Sequence, residues 1–132
     1  MTDQCIFCRI AQKEAPACII YEDADYLAFL DKFPQSRGHI QFIPKKHYRW
    51  VWDMPDIGAF FTVARKIIRG IIPVLGADHV TLSTLGHEIH HAHVWIVPIY
   101  QSTVNVQEGR RLIPTDREKE TVATLLRTAL SK

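Results

Sequence analysis

A chain of 132 residues, 47% hydrophobic and 23% charged, has the make-up of one globular domain rather than of a disordered or fibrous segment. Sixteen basic against 14 acidic residues leave a net charge of +2, too little to argue for nucleic acid as a partner. No apolar run approaches the roughly 20 residues that span a bilayer, and the start lacks a cationic segment followed by an apolar one, so neither a membrane anchor nor a signal peptide is expected, and a cytoplasmic location is.

Three cysteines, Cys5, Cys8 and Cys18, fit a reducing compartment. Cys5-x-x-Cys8 reads as half of a metal site or as a redox pair, not as a disulfide framework. The segment from Cys5 to Glu14 predicts a short helical turn with Ile6, Phe7 and Ile10 on its apolar side. Strands follow over 18–21 and 26–30, joined by the polar turn Glu22-Asp23-Ala24-Asp25 as a hairpin. Cys18, in a strand, reads as a small core residue. Pro34, Ser36 and Gly38 mark 32–38 as a loop before a third strand over 39–43, ended by Pro44. The basic cluster Lys45-Lys46-His47-Tyr48-Arg49 reads as a solvated loop.

Asp53 is positioned as a cap and Pro55 as an early residue of the next element. From Ile57 to Ile72 apolar residues recur at helical spacing until Pro73 to Gly76 interrupt them. Strands are predicted over 79–85 and 92–97, the second ended by Pro98, then a loop over 100–113. Thr115-x-x-Glu118 is a capping box, and Val122, Leu125, Leu126 and Leu130 give a helix over about 115–131 its apolar stripe. The expected class is α+β: one domain with helices packed on a mainly antiparallel sheet.

The stretch Gly86 to Pro98 holds four of the seven histidines and admits two chemistries. His87-Glu88-Ile89-His90-His91 matches H-E-x-x-H, which would serve a metalloprotease if it were helical. The following residues, Ala92 to Val97, are strand formers ended by proline, and Gly86 is a poor entry to a helix. As a strand, the segment turns His91, His93 and Trp95 to one face and Ala92, Val94 and Ile96 to the core. Stacked imidazoles need polar partners, so the histidine face is the candidate site.

At this point the chain resembles the histidine-triad (HIT) family. "HAHVWIVP" is similar to that family's alternating His-φ-His-φ-His signature, with φ apolar, and "YEDADYLAFLD", "GH" and "IPKKH" extend the resemblance over roughly residues 4 to 100. The resemblance implies a five-stranded antiparallel sheet with packed helices, joined in a homodimer to a ten-stranded sheet, with contacts from the Ile57 to Ile72 helix and the adjoining edge strand. It implies a nucleotide hydrolase or nucleotidyl transferase acting on nucleoside phosphoramidates or dinucleoside polyphosphates, with a purine nucleotide or its conjugate as ligand. His93 takes the position of the nucleophile, with His91 and His39 placing phosphate charge. Asp31 resembles the residue that binds the ribose hydroxyls, and Ile6, Phe7, Ile10, Phe29 and Leu30 resemble the purine pocket. Cys5 and Cys8 with His47 resemble the zinc site of bacterial members; His91 would be the fourth ligand of a structural zinc, with His90 a second candidate.

Two departures stand out: Trp95 occupies the third triad position, and the loop before Gly86 is short, with His87 where a polar residue, commonly glutamine, contacts phosphate. Indole has one N–H donor and no acid–base function near neutral pH. Three outcomes follow from Trp95: slower chemistry, a leaving group that needs no proton, or His87 acting in its place. A nucleotide-binding module with little or no turnover is the alternative to the enzyme.

Overall fold

The computed structural model describes residues 4–101 and 111–131. Its elements run α1 (Ile6–Ala11), β1 (Ile19–Glu22), β2 (Tyr26–Leu30), β3 (Ile40–Pro44), a short 3-10 turn (Val51–Asp53), α2 (Ile57–Leu75), β4 (His79–Ser83), β5 (Val94–Ile99) and α3 (Asp116–Leu130). The five strands form one antiparallel sheet in the order β1-β2-β3-β5-β4. That is the architecture expected from the sequence.

The sheet has two apolar faces, so helices cover both. On one side α2 and α3 enclose the main core, in which Ala28, Leu30, Ile40, Phe42, Val94 and Ile96 from the strands, with Ala92 just before β5, meet Phe60, Ala64, Ile67, Ile71, Val122 and Leu126. Phe42 and Phe60 stack at 4.3 Å between centroids. On the other side α1 closes a smaller cluster of Phe7, Ile10, Leu27, Phe29 and Ile43. Strand residues alternate between the clusters because the side-chain period of a strand is two.

Several boundaries differ from the sequence reading, each for a local reason. Asp53 does not cap α2: its carboxylate accepts the Trp50 N–H at 3.2 Å inside the 3-10 turn, and Asp56 occupies the cap position. α2 carries Pro73 within its last turn and stops at Gly76, whose φ of 68° is left-handed and costs least in a residue without a Cβ. β5 runs through Pro98 rather than ending at it. Pairing of β5 with β3 spans only Val94 to Ile96, so Pro98 lies beyond that ladder, where its carbonyl accepts the Ser36 hydroxyl at 2.6 Å. The capping box forms as read: Thr115 Oγ1 accepts from the Glu118 N–H at 3.1 Å and the Glu118 carboxylate from the Thr115 N–H at 2.9 Å. No helix among the described residues is long and apolar enough to cross a membrane.

Candidate active site and metal centre

Residues 84 to 93 form an irregular connection, not a helix. His87 is exposed and His91 fully enclosed, so the two histidines of H-E-x-x-H do not face a common metal. The protease reading therefore fails on conformation. Gly86, with φ 88°, turns the chain where an added Cβ would lie 2.8 Å from the Trp50 ring.

The residue two before His93 builds a different centre. Donor atoms of Cys5, Cys8, His47 and His91 all lie within 4.8 Å of one another. His91 Nδ1 is 3.2 Å from Cys5 Sγ, 3.4 Å from Cys8 Sγ and 3.2 Å from His47 Nδ1. One imidazole lone pair accepts one proton well, so three groups crowding it are better explained by a shared cation. Tetrahedral zinc, with bonds of about 2.3 Å to sulfur and 2.0–2.1 Å to nitrogen, sets neighbouring donors about 3.3–3.8 Å apart, close to the spacing here. The tautomer agrees. His91 Nε2 donates to the Pro44 carbonyl at 2.8 Å, which leaves Nδ1 unprotonated for a metal. The Cys8 backbone N–H points at Cys5 Sγ at 3.3 Å, a bond that favours thiolate. Without a cation, burial and the neighbouring Cys5 push the Cys8 thiol up to about 12. The donor set and its spacing fit zinc, and His90, exposed and outside the cluster, is not part of it.

Two residues on, His93 enters a cavity of about 690 Å³, within the range of small-ligand sites. Asp31, Gln41, His87, Trp95 and Arg111 share its walls. His93 Nδ1 donates to the His91 carbonyl at 2.6 Å, so Nε2 is the nitrogen with a free lone pair. Burial lowers the His93 pKa from its ordinary value, and the positive charge of Arg49 adds to that. Arg49 stacks 3.7 Å over the Trp50 ring, and its Nη1 is buried with no hydrogen-bond partner among the described residues.

Asp31 is held at both oxygens: Oδ1 accepts the Phe33 N–H at 2.9 Å and Oδ2 the Gln41 Nε2 at 2.7 Å. Gln41 pairs with Trp95 across β3 and β5. Three buried polar atoms on this patch, His39 Nε2, Gln41 Oε1 and Trp95 Nε1, have no partner among the described residues. Buried polar atoms without a hydrogen bond are uncommon in folded proteins, and here Gln41 and Trp95 line this cavity while His39, its ring 4.9 Å from that of Trp95, lines a second one that shares Asp31.

The structure revises three expected roles. His91 is fully enclosed with both nitrogens engaged, so it does not also meet phosphate; its carbonyl instead holds His93. His39 is equally buried, with Nδ1 accepting the Gln35 N–H at 3.0 Å, Nε2 3.7 Å from Asp31, and its ring 4.9 Å from Trp95. Burial lowers its pKa to about 4, although Asp31 pulls the other way. Leu30 belongs to the main core, on the face opposite Phe29, because adjacent strand residues alternate. Phe7, Ile10 and Phe29 do cluster, with Phe7 edge-on to the His93 ring at 5.3 Å, while Ile6 is 41% exposed.

Gln41 and Arg111 were not singled out from the sequence, and Arg49 was read only as part of a solvated basic cluster, whereas its Nη1 is buried. Gln41 had a signal: with His39 it puts two polar residues at alternate positions of an apolar strand. Arg111 had none, because it reaches the cavity from a segment read as loop.

Comparisons with known proteins bear on the family and the fold. The profile of the HIT domain matches residues 12–102. An uncharacterised HIT-like protein of Methanocaldococcus jannaschii is 38% identical over 104 residues, a match covering 74% of this chain and 80% of the relative. The crystal structure of a zinc-bound histidine triad family protein from Mycobacterium smegmatis superposes with a TM-score of 0.85 at 31% identity, over 99% of this chain and 96% of that one. An adenylylsulfatase of Arabidopsis thaliana is 32% identical over 105 residues; the match covers 74% of this chain but only 53% of that protein.

Proposed function

Because this chain belongs to the HIT family, we propose that it is a nucleotide hydrolase or nucleotidyl transferase acting at an α-phosphate through His93. The observation that carries this is the bond from His93 Nδ1 to the His91 carbonyl, which leaves Nε2 as the nucleophilic nitrogen in a cavity lined by Asp31 and Trp95. A neutral imidazole is both a good nucleophile toward phosphorus and a good leaving group from it. Nε2 attacks phosphorus, the N–P bond forms, and the bond to the leaving group breaks with its electron pair. Water then attacks, the N–P bond breaks back to Nε2, and one water proton goes to solvent.

Asp31, pre-set by Gln41 and the Phe33 N–H, receives the ribose hydroxyls. Phe7, Ile10 and Phe29, with Ile89 packed on them, form the apolar wall for a purine. His39 acts as a positioning residue beside Asp31. His87, on the cavity wall, is available to phosphate.

Cys5, Cys8, His47 and His91 hold a structural zinc in this reading. The metal supplies cross-linking, not chemistry: a closed four-ligand set leaves no open position for substrate. It fastens α1 to the sheet and fixes the carbonyl of His91 that orients His93. A homodimer is part of the same proposal. Ile57 and Phe61 on α2 and Leu82 on the edge strand β4 are exposed and apolar, and light scattering at micromolar concentration distinguishes a dimer from a monomer.

The test is intermediate trapping. Rapid quench of the enzyme with adenosine 5′-phosphoramidate into alkaline denaturant, which preserves the acid-labile N–P bond, should yield an adenylylated peptide containing His93, absent in His93→Ala. Turnover without any adduct, undiminished in His93→Ala, would sink the reading. A second reading, a nucleotide-binding module without turnover, draws on Trp95 at the third triad position; calorimetric binding of AMP with no hydrolysis of any of these substrates would favour it.

A further inference from the structure

Trp95 stands where the signature has its third histidine, yet the site is not left without charge. Arg111 sets its guanidinium 4.8 Å above the Trp95 ring and lines the cavity that His93 enters. Its placement is not incidental. Nη1 donates to the Phe33 carbonyl at 2.8 Å, and the next N–H, of Leu112, donates to the Pro34 carbonyl at 2.7 Å. Two bonds therefore tie residues 111–112 to the loop that carries Asp31. Arg111 Nη1 also forms an ion pair with Asp31 Oδ1 at 3.6 Å. A guanidinium has five N–H donors, and only one of them is used among the described residues. Indole is the best aromatic platform for such a cation, so Trp95 holds Arg111 over the site.

We propose that Arg111, seated on Trp95, supplies the fixed positive charge on the transferred phosphate, and that the site thereby prefers nucleotides whose leaving group departs as an anion. This rests on the nucleotidyl-histidine reading. Guanidinium stabilises developing negative charge but stays protonated at any working pH, so it cannot hand a proton to a leaving group. Indole N–H cannot either. A sulfate or phosphate leaving from a mixed anhydride needs no proton. An amine leaving from a phosphoramidate does, because the amide anion is far too basic to depart. In both cases His93 Nε2 forms the same P–N bond; the bond broken is P–O to a sulfate or phosphate, or P–N to an amine, and only the amine must take up a proton to leave.

The experiment uses the full-length, zinc-loaded chain and two readouts. Calorimetry compares AMP with adenosine. Arg111→Ala should weaken AMP at least tenfold and leave adenosine within about twofold, since its charge meets phosphate and not the base; Arg111→Lys should recover part of the loss. Kinetics compare adenylyl sulfate with adenosine 5′-phosphoramidate. The wild-type chain should favour the sulfate in kcat/KM by at least tenfold, and Trp95→His should narrow that ratio by restoring a proton donor. Equal losses for AMP and adenosine in Arg111→Ala would reduce Arg111 to a support for Asp31 and overturn the proposal. So would equal use of both substrates, with His87→Asn selectively abolishing the phosphoramidate, since His87 would then be the acid. The AMP-to-adenosine ratio is a binding measurement, so it stands or falls separately from the covalent step tested by His93→Ala.

Discussion

Two polar clusters meet at the start of β5, and they differ in how their atoms are satisfied. In the first, Cys5, Cys8, His47 and His91 converge within 4.8 Å, and the outer nitrogen of His91 is tied to Pro44. In the second, Gln41 Oε1 and Trp95 Nε1 beside the cavity, and His39 Nε2 next to the Trp95 ring, have no hydrogen-bond partner among the described residues. Only Ala92 separates His91 from His93. The difference teaches that a polar cluster closed on itself serves the fold, whereas one left open serves a ligand. A half-satisfied buried cluster costs stability, so its persistence points to binding.

The sharpest way to break this contrast is to exchange losses between the clusters. His93→Ala should cut turnover by about a thousandfold or more, as expected for removal of a covalent nucleophile. It should leave metal content and melting temperature near wild type. Unchanged turnover would merge the two clusters into one structural unit.

Next in size, removing the metal by chelation or by His91→Ala should destabilise the chain by about 3–5 kcal/mol, because structural zinc contributes directly to folding. The loss should appear as a lower urea midpoint with α1 released first. Less than about a tenth of an equivalent of zinc per chain, in protein purified without chelator, would exclude the site.

Trp95→His addresses the open cluster alone. Proton donation to a leaving group contributes about 10² to 10⁴ in rate, so turnover of a phosphoramidate should rise, by roughly tenfold or more once the cost of losing the indole platform is included. A fall for every substrate would give the indole a role in the reaction itself.

The smallest effect concerns His39. Burial lowers its pKa from 6.5 to about 4 in the folded chain. Between those values the unfolded chain binds a proton that the folded one refuses, so stability falls as pH drops through that window and is unaffected above it. The loss attributable to His39 should be about 1–3 kcal/mol by pH 4. Urea midpoints at pH 7, 5.5 and 4 should show a shallower decline for His39→Gln than for wild type.

Much of this was legible in the sequence because short-range patterns carry it. Alternation placed Ala92, Val94 and Ile96 in the core, helical spacing found α2, and the Thr115–Glu118 capping box found the start of α3. The resemblance to the zinc site of bacterial family members pointed to Cys5, Cys8, His47 and His91, and those four side chains do converge. The remainder depends on distances between segments far apart in the chain. That both nitrogens of His91 are spoken for follows from Pro44 and the cysteine turn meeting it. That Leu30 faces away from the presumed base pocket follows from which sheet face α1 covers.

The sequence by itself determined the order and type of the elements and which residue types could do chemistry, since these depend on local periodicity and spacing, and its motifs carried the resemblance to the family. Only the tertiary structure decided that His91 joins the cysteine cluster, that His93 keeps Nε2 toward the cavity, and that an arginine from a distant segment stands over Trp95. A hydrogen bond of 2.6 Å to a carbonyl or a cation 4.8 Å from a ring exists only once the chain has closed on itself.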